Sequence, residues 1–491
     1  MLTAPSLAEK RNNDGPCRGC ASERARARHS RDNRIALRAP AGNMLDATVS
    51  TVGWLRRRVC ALRAYTFSGS NISRSRSPMN FWNQMSNPDT HSQRPRILAV
   101  VTFFPVPADQ GDPLRVLALL LALQAVTDLH VVAVKRRDTT SEHEQELRDK
   151  LSDSRVYVCE LDRPDVLSTR SGRLIRGAFR GVPAWVYSNS SRDASRRIKE
   201  VGGNCETIVL IGEAAALHIP AVRGQKIIWD KANVISASIS ENRHRLTSRF
   251  ERLKATVTAG PAKRFERRAL EAVSSVWVTS AEDAERLRRT FGREADAVIP
   301  SSVEVPKTPQ VASTEGSSEI YWMSSFKYPP NWDGLVRLLR ALEKIDPQGE
   351  VRLRVAGYGA TEAQRAHLVS ERRVDYIGFV DDIADSASGV LAAVVPLWAG
   401  AGVKLKTLTL LALGLPIFAT SAAMEGLPED LAICVEDEPE EMARALLRAV
   451  RNGINDNSDA ASNRLSTMAE HFSISSFNSN VYRAMQFGDL S

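Results

Sequence analysis

Two lysines in a glycine-rich turn are the residues of this chain best suited to chemistry. Gly400, Gly402, Lys404 and Lys406 follow an apolar segment that reads as a strand, residues 390–396, and an apolar helical pattern comes directly after them. A helix N-terminus gathers unpaired backbone N–H groups and the positive end of the helix dipole. With two ammonium groups added, the turn predicts a site for a dianion such as a nucleotide pyrophosphate.

Two runs of alternating strands and helices must position this turn, and a Pro-, Ser- and Thr-rich linker at residues 303–318 separates them. Apolar strands are predicted in the first run at residues 96–102, 129–134, 155–160, 207–211, 226–229 and 276–279. They are predicted in the second run at residues 319–323, 351–356, 374–377 and 390–396. Such alternation predicts an α/β fold with two doubly wound, Rossmann-like domains built on parallel sheets.

The glycine-rich segment resembles the nucleotide-sugar site of retaining glycosyltransferases of family 4, the glycosyltransferase group 1 set with the GT-B fold. The positions that fit the pattern of that set are Pro396, Leu397, Gly400, Gly402, Lys404, Lys406, Leu408, Gly414, Pro416, Ile417, Phe418 and Thr420. Thr409 stands where the family has a glutamate. The resemblance implies two domains facing a cleft, with a C-terminal helix that crosses back to the first domain.

The loop after the first strand, residues 102–112, resembles a family element at the cleft edge of the first domain. Gly111 would let backbone approach the donor phosphate or the acceptor, and Arg115 would lie in the first helical turn that follows. Ligands of open α/β sheets bind beyond the carboxyl ends of the strands, which is where this loop is predicted to lie. An ordinary Pro/Gly loop is the alternative.

Three polar residues are further candidates on the acceptor side. Asp230 and Asn233 belong to a segment in which many relatives carry a histidine, but this chain has Ala232 there. Both residues are candidates either for the site or for capping the strand end. Glu213 follows another apolar strand, and it either reaches the cleft edge or simply begins the Ala-rich helix after it.

Two segments of the second run complete the predicted donor side. Ser324 replaces a family glycine and can still hydrogen-bond a phosphate, and Lys327 is placed to neutralise charge. Asn331 is predicted to cap a helix. Gly357 ends a strand and resembles a nucleotide-side loop of the family. In the first run, Ser280 is predicted to cap a helix.

The resemblance implies that Lys404 and Lys406, with backbone N–H groups, stabilise the departing diphosphate while an acceptor hydroxyl attacks from the same face. Such catalysis rests on electrostatic stabilisation of the leaving group, so no cofactor and no metal is expected. Thr409 would give the ribose one hydrogen bond where a carboxylate accepts two, at a cost of roughly 1–3 kcal/mol in donor binding.

The basic character of the chain resides in its first 95 residues. They hold 16 Lys and Arg against 6 Asp and Glu, whereas the formal net charge of all 491 residues is +9. The rest is therefore near neutral, and a nucleic-acid partner is not expected. Residues 1–94 are predicted to be a disordered tail. Met79 and Met85 are alternative starts, which would make that tail an artefact.

No apolar run reaches the length of a transmembrane helix. The charge-dense segment 236–272 predicts two helices interrupted near Gly260 and Pro261, with charged faces in solvent or, alternatively, with a basic face toward a membrane. The six cysteines form no complete zinc or disulfide pattern, which favours a reducing, cytoplasmic location.

The domain plan is therefore a tail at 1–94, an acceptor-side domain at 95–302, a linker at 303–318, a nucleotide-sugar domain at 319–460 and a crossing helix at 461–491. The expected function is glycosyl transfer from a nucleotide diphosphate sugar to a saccharide or lipid-linked acceptor, in cell-surface polysaccharide or glycoconjugate synthesis. Because Ala232, Ser324 and Thr409 depart from the family pattern, a weakened homologue that acts as a binding or scaffold protein is the alternative. An NAD enzyme is disfavoured, since no G-x-G-x-x-G follows the first strand.

Overall fold

The structure, a computed structural model, contains two parallel β-sheets, and each sheet is built from its own half of the chain. It describes residues 94–108, 111–136, 138–162, 181–243, 249–311, 313–314, 316–400, 402–456 and 458–487. The predicted basic tail lies outside these residues. His91–Ser491 form one compact unit, which holds both sheets.

The first sheet has seven strands in the order β3-β2-β1-β4-β5-β6-β7, all parallel. Its strands are β1 Arg96–Val101, β2 Asp128–Lys135, β3 Arg155–Glu160, β4 Thr207–Ile211, β5 Lys226–Asp230, β6 Ser275–Val278 and β7 Ala297–Val298. The helices of this half are α1 Gly111–Val126, α2 Ser141–Lys150, α3 Ala184–Tyr187, α4 Arg192–Gly202, α5 Ile235–Asn242, α6 Arg249–Ala272 and α7 Ala281–Phe291. A 3₁₀ helix, Glu213–Ala221, follows β4.

The second sheet has six strands in the order β10-β9-β8-β11-β12-β13, again all parallel. Its strands are β8 Glu319–Met323, β9 Arg352–Ala356, β10 Val374–Gly378, β11 Ala392–Val395, β12 Ile417–Ala419 and β13 Cys434–Val435. Its helices are α8 Pro329–Ile345, α9 Glu362–Ser370, α10 Ile383–Ser386, α11 Leu405–Ala412, α12 Pro439–Asn452, α13 Ser458–Phe472 and α14 Ile474–Phe487, with a 3₁₀ turn at Glu429–Leu431.

Both sheets are covered by apolar side chains on both faces, as the continuous apolar strands predict. Two buried clusters lie on the two sides of the first sheet, and two more lie on the sides of the second. Strand order reverses between β1 and β4 in the first sheet and between β8 and β11 in the second. Ligands of open α/β sheets bind outside the carboxyl ends of the strands at such switch points.

The described end of the chain forms two helices instead of the single crossing helix predicted for residues 461–491. Ser473 separates them, because its hydroxyl accepts a hydrogen bond from the N–H of Ser476 and so caps α14. Met468 of α13 packs into the second domain, whereas Phe477 and Val481 of α14 pack into the first. The predicted return to the first domain is therefore confirmed, with α14 making it.

The helical break predicted at Gly260 and Pro261 is wrong. The helix α6 continues through both residues, and the two helices of this segment are separated after α5 instead. A proline inside a helix removes one backbone hydrogen bond. Burial of Ala262, Phe265 and Leu270 on one side of α6 offsets that loss and holds the helix together across Pro261.

Candidate functional site

The glycine-rich turn lies at the switch point of the second sheet, between the end of β11 and the start of α11. Gly400 has φ +151° and Gly402 has φ +71°, conformations that favour glycine. A Cβ on Gly402 would lie 2.3 Å from Oδ1 of Asn233, so a side chain would also collide with the first domain. Within the described chain, α11 has Lys404 at its N-cap position and no side-chain cap, which leaves its first N–H groups to the turn.

Lys406 is half-buried in this site, and its hydrogen-bond partners are neutral. Its Nζ donates to Asn331 Oδ1 at 2.7 Å and to Ser324 Oγ at 3.2 Å. Burial, and then the charge of Lys404, lower the pKa of Lys406 to about 7. No described carboxylate forms an ion pair with Lys406, so a bound anion would supply the missing counter-charge.

Lys404 is placed differently, because it already has a carboxylate. Its Nζ donates to Oε2 of Glu425 at 3.1 Å and to the backbone oxygen of Gly402. Burial lowers the pKa of Lys404, and the nearby charge of Glu425 offsets part of that shift. The two lysines thus bring two ammonium groups to one turn, one of them satisfied by Glu425 and the other by neutral oxygens alone.

The strand ends of β8 and β9 form the neighbouring wall of the site. Ser324 is buried directly after β8, and a Cβ on Gly357 would lie 2.1 Å from its backbone oxygen. Gly357 is therefore required for the two loops to pack this closely. Asn331 does not cap α8 as predicted, since the cap position is Tyr328. Its side chain donates to the backbone oxygen of Ser325 and accepts from Lys406 instead.

Lys327 lies at the exposed edge of this wall. Its Nζ is 5.2 Å from the ring centroid of Tyr358, a cation–π arrangement. Tyr358 in turn meets Phe379 edge to face, and Phe379 is 65% exposed. The predicted neutralising lysine is therefore an exposed residue stacked on an aromatic pair, in a setting unlike that of the half-buried Lys406.

Thr409 is half-buried on α11 and uses its hydroxyl within its own helix. Its Oγ1 donates to the backbone oxygen of Leu405 at 2.9 Å. The hydroxyl proton is therefore committed, and the oxygen retains only its acceptor capacity. A family glutamate at this position would also present only acceptors, so the single ribose contact predicted for Thr409, in which the ribose hydroxyl donates, stays a prediction.

Gly111 and Asn233 bring the first domain to the glycine-rich turn. Gly111 begins α1, and a Cβ there would lie 3.4 Å from a methyl carbon of Leu405, the first residue of α11. The starts of α1 and α11 therefore lie side by side. Asn233 faces Gly402, and its buried Oδ1 has no hydrogen-bond partner among the described residues.

Glu213 lies next to Asn233 at the end of β4, the switch point of the first sheet. Its Oε1 accepts from the backbone N–H of Asn233 at 2.9 Å. Burial raises the pKa of Glu213 to about 7, and the charge of Lys231 opposes this shift. Glu213 begins a 3₁₀ helix, as one of the two alternatives has it, and it accepts from the loop that faces the glycine-rich turn, while its place at the cleft edge stays a prediction.

Arg115 and Asp230 are brought together, but inside the first domain. Arg115 donates to Oδ1 of Asp230 at 2.8 Å and to the backbone oxygen of Ile299 at 2.9 Å, and its guanidinium packs over the ring of Phe477. Both side chains are buried. These contacts join the end of β5 and the residue after β7 to α14, and the cleft role expected from the sequence stays a prediction.

Glu425 and Arg286 were missed by sequence reasoning. Glu425 lies in the loop after β12 and pairs with Lys404, and its other oxygen accepts from Arg286 of α7 in the first domain. Only the position of Glu425 could have indicated it in the sequence, because it is a carboxylate in the polar turn that follows a predicted strand. Arg286 had no signal of its own, since it lies on a helix with many exposed charges.

Residues 317–452, which include the glycine-rich turn and both lysines, match the family model described as Glycosyl transferases group 1. No curated protein matches the chain. Among the described residues, no group of three or more His, Cys, Asp or Glu is arranged to hold a metal ion. No helix of the described segments combines the length and apolarity needed to cross a bilayer.

Solved structures extend the comparison to both domains. HepE of Anabaena in complex with UDP has a TM-score of 0.54 and 14% identity, over 80% of this chain and all of its own. TarM has a TM-score of 0.55 and 10% identity, over 81% and 99%. The N-terminal domain of trehalose-6-phosphate phosphatase from Candida albicans has a TM-score of 0.53 and 13% identity, over 80% and 97%.

The likeness at these identities is one of fold. It confirms the predicted pair of parallel α/β domains of the GT-B type. Together with the match of the second domain to group 1, it supports the class of glycosyltransferases.

Proposed function

We propose that this protein transfers a sugar, with retention of configuration, from a nucleotide diphosphate sugar to a saccharide or lipid-linked acceptor. The observation that carries the proposal is Lys406, a half-buried lysine whose ammonium has only neutral partners, in a glycine-rich turn at a sheet switch point. A donor diphosphate supplies the counter-charge that this turn lacks. HepE, one of the structural neighbours, is described in complex with UDP-glucose, which makes uridine donors the first to test.

In the proposed reaction the bond from the anomeric carbon to the diphosphate oxygen breaks, and a bond from that carbon to the acceptor oxygen forms. The acceptor proton passes to the departing phosphate oxygen. Lys404, Lys406 and the first N–H groups of α11 stabilise the growing negative charge, and stabilisation of this kind usually contributes more to catalysis than any other single effect. The proposal requires neither a cofactor nor a metal, because the lysines and the helix N-terminus perform this task.

Thermal-shift screening tests this proposal. We expect UDP-, GDP- or ADP-sugar to raise the melting temperature by a few degrees, since ligand at 100 times Kd contributes about 2.7 kcal/mol. An assay of nucleotide release with saccharide and lipid-linked acceptors then measures turnover. Failure of every donor to raise the melting temperature contradicts the proposal. A shift without turnover favours the alternative, a weakened homologue that binds donor as a scaffold protein.

We further propose that the protein works in the cytoplasm, in synthesis of cell-surface polysaccharide or glycoconjugates, and touches the inner membrane face through α6. Leu253 and Val257, one turn apart on α6, are 63% and 62% exposed. The helix carries seven Lys and Arg against three Asp and Glu. Exposed apolar groups beside excess positive charge suit an anionic lipid surface.

Vesicle sedimentation tests this contact. We expect the full chain to pellet with vesicles of phosphatidylcholine and phosphatidylglycerol, and Leu253→Asn/Val257→Asn to reduce the bound fraction several-fold, because burial of two apolar side chains is lost. Val369→Asn is the matched control, since Val369 is 76% exposed on α9 of the other domain. Equal binding by both variants would assign the membrane contact to another part of the chain.

A further inference from the structure

Glu425 holds one cation from each domain. One carboxylate oxygen accepts from Lys404, at the start of α11, and the other accepts from Arg286 on α7. The three side chains are 8%, 9% and 15% exposed, in the order Glu425, Lys404, Arg286. These ion pairs are therefore shielded from solvent. Electrostatic interactions are stronger in such shielded positions than at the surface.

The loop that carries Glu425 is held at close quarters on both sides. Gly426 has φ +77°, and a Cβ there would lie 2.6 Å from Val403 of the glycine-rich turn and 3.0 Å from Ser280 at the cap of α7. The hydroxyl of Thr407 on α11 donates to the backbone oxygen of Ala423 in the same loop. Glu425 is thus positioned by the turn that carries the lysines and by the helix that carries Arg286.

Arg286 forms ion pairs with three carboxylates. Besides Glu425 it contacts Asp283 at 3.3 Å and Glu241 at 2.9 Å, both in its own domain. Among the described carboxylates, Lys404 forms an ion pair with Glu425 alone. Arg286 would remain paired without Glu425, whereas Lys404 would not. The main effect of the contact between Arg286 and Glu425 is therefore on Glu425, whose negative charge Arg286 shares.

We propose that Arg286 is a positioning residue for the donor site, acting across the domains through Glu425 to set how strongly Lys404 is neutralised. Glu425 and the donor diphosphate compete for the same ammonium. While Arg286 shares the negative charge of Glu425, Glu425 holds Lys404 less strongly, and a phosphate competes better for this ammonium. When Arg286 is lost, Glu425 is left to Lys404 alone and competes more strongly. Domain contact at α7 and donor affinity are thereby linked. This inference rests on the proposed function.

Calorimetric titration with UDP, GDP and ADP tests the link, with the tightest of the three as the probe for the variants. We expect Arg286→Gln to weaken binding about tenfold. Arg286→Lys, which keeps the positive charge, should retain most of the wild-type affinity. In the background of Glu425→Gln the same Arg286→Gln change should alter the dissociation constant less than twofold, since the route through Glu425 is gone. Arg288→Gln, at an exposed pair on the same helix, is the control and should not change binding.

The dissociation constants of these variants distinguish a failure of the route through Glu425 from a failure of the donor site. An effect of Arg286→Gln that persists in the Glu425→Gln background overturns the proposed route, and so does a single variant that binds like the wild type. Melting temperatures within a degree or two of the wild type show that the variants are folded. A wild-type chain that binds none of the three nucleotides counts against the donor site itself, which distinguishes that failure from a failure of the link.

Discussion

Replacing Lys406 by methionine should abolish most donor binding and leave the protein at least as stable as the wild type. The ammonium of Lys406 lies between Asn331 and Ser324, and partial burial lowers its pKa to about 7. Hydrogen bonds from a charged donor are worth about 1.5–3 kcal/mol each, so the loss of one such bond to the diphosphate should weaken binding about 10- to 150-fold. Calorimetric titration with a nucleoside diphosphate measures it.

The pH dependence of binding gives a second, independent sign of this lysine. Above pH 7 the free protein loses the Lys406 proton, whereas a bound diphosphate favours the charged form. Binding above pH 7 should therefore take up a proton and weaken as the pH rises. Titrations in two buffers with different ionisation heats measure that uptake. The part due to Lys406 should disappear in Lys406→Met.

Stability should change in the opposite direction. Because the folded-state pKa of Lys406 lies below the ordinary 10.5, the unfolded chain binds this proton more strongly between about pH 7 and 10.5. The contribution of Lys406 to stability is unfavourable at pH 7 and improves as the pH rises through that window. Lys406→Met removes this cost. Lys344→Met, at an exposed surface pair, is the control and should change neither binding nor melting temperature. Unaltered affinity in Lys406→Met would remove the basis of the donor site.

The elements and the lysine site were predictable because their signals are local. Apolar strands such as Arg155–Glu160, Thr207–Ile211 and Glu319–Met323 have the same bounds in the structure as in the sequence analysis. The glycines of the turn and the two lysines lie within seven residues of one another. A strand, a turn and a helix start therefore place them together whatever the rest of the chain does.

The partners of those lysines were not predictable, because they come from distant parts of the chain. Arg286 and Glu425 are separated by 139 residues, and Asn331 lies 75 residues from Lys406. Asn331 at a helix start is an ordinary cap in sequence terms, and only the approach of α8 to α11 gives it a lysine to bind. Arg115 and Asp230 likewise suit a cleft from sequence alone, but the packing of α14 over Arg115 encloses them.

Gly334→Ala should cause a large loss of stability for the addition of a single methyl group. A Cβ on Gly334 of α8 would lie 1.9 Å from the backbone oxygen of Pro396 at the end of β11. No rotamer change relieves a contact between Cβ and backbone, so α8 must move away from the sheet. Overpacking of this kind costs about 3 kcal/mol, and the urea midpoint should fall accordingly.

The same movement should reach the donor site, because Asn331 lies one turn before Gly334 on α8 and accepts from Lys406. We therefore expect Gly334→Ala to weaken nucleotide binding as well as stability. Gly260→Ala is the matched control: Gly260 is also helical, and a Cβ there meets nothing within 4 Å. Alanine in that helix should stabilise by about 0.5–1 kcal/mol and leave binding unchanged. Equal urea midpoints for the two variants would show that α8 does not pack on β11 this closely, and would leave Asn331 without the support that holds it against Lys406.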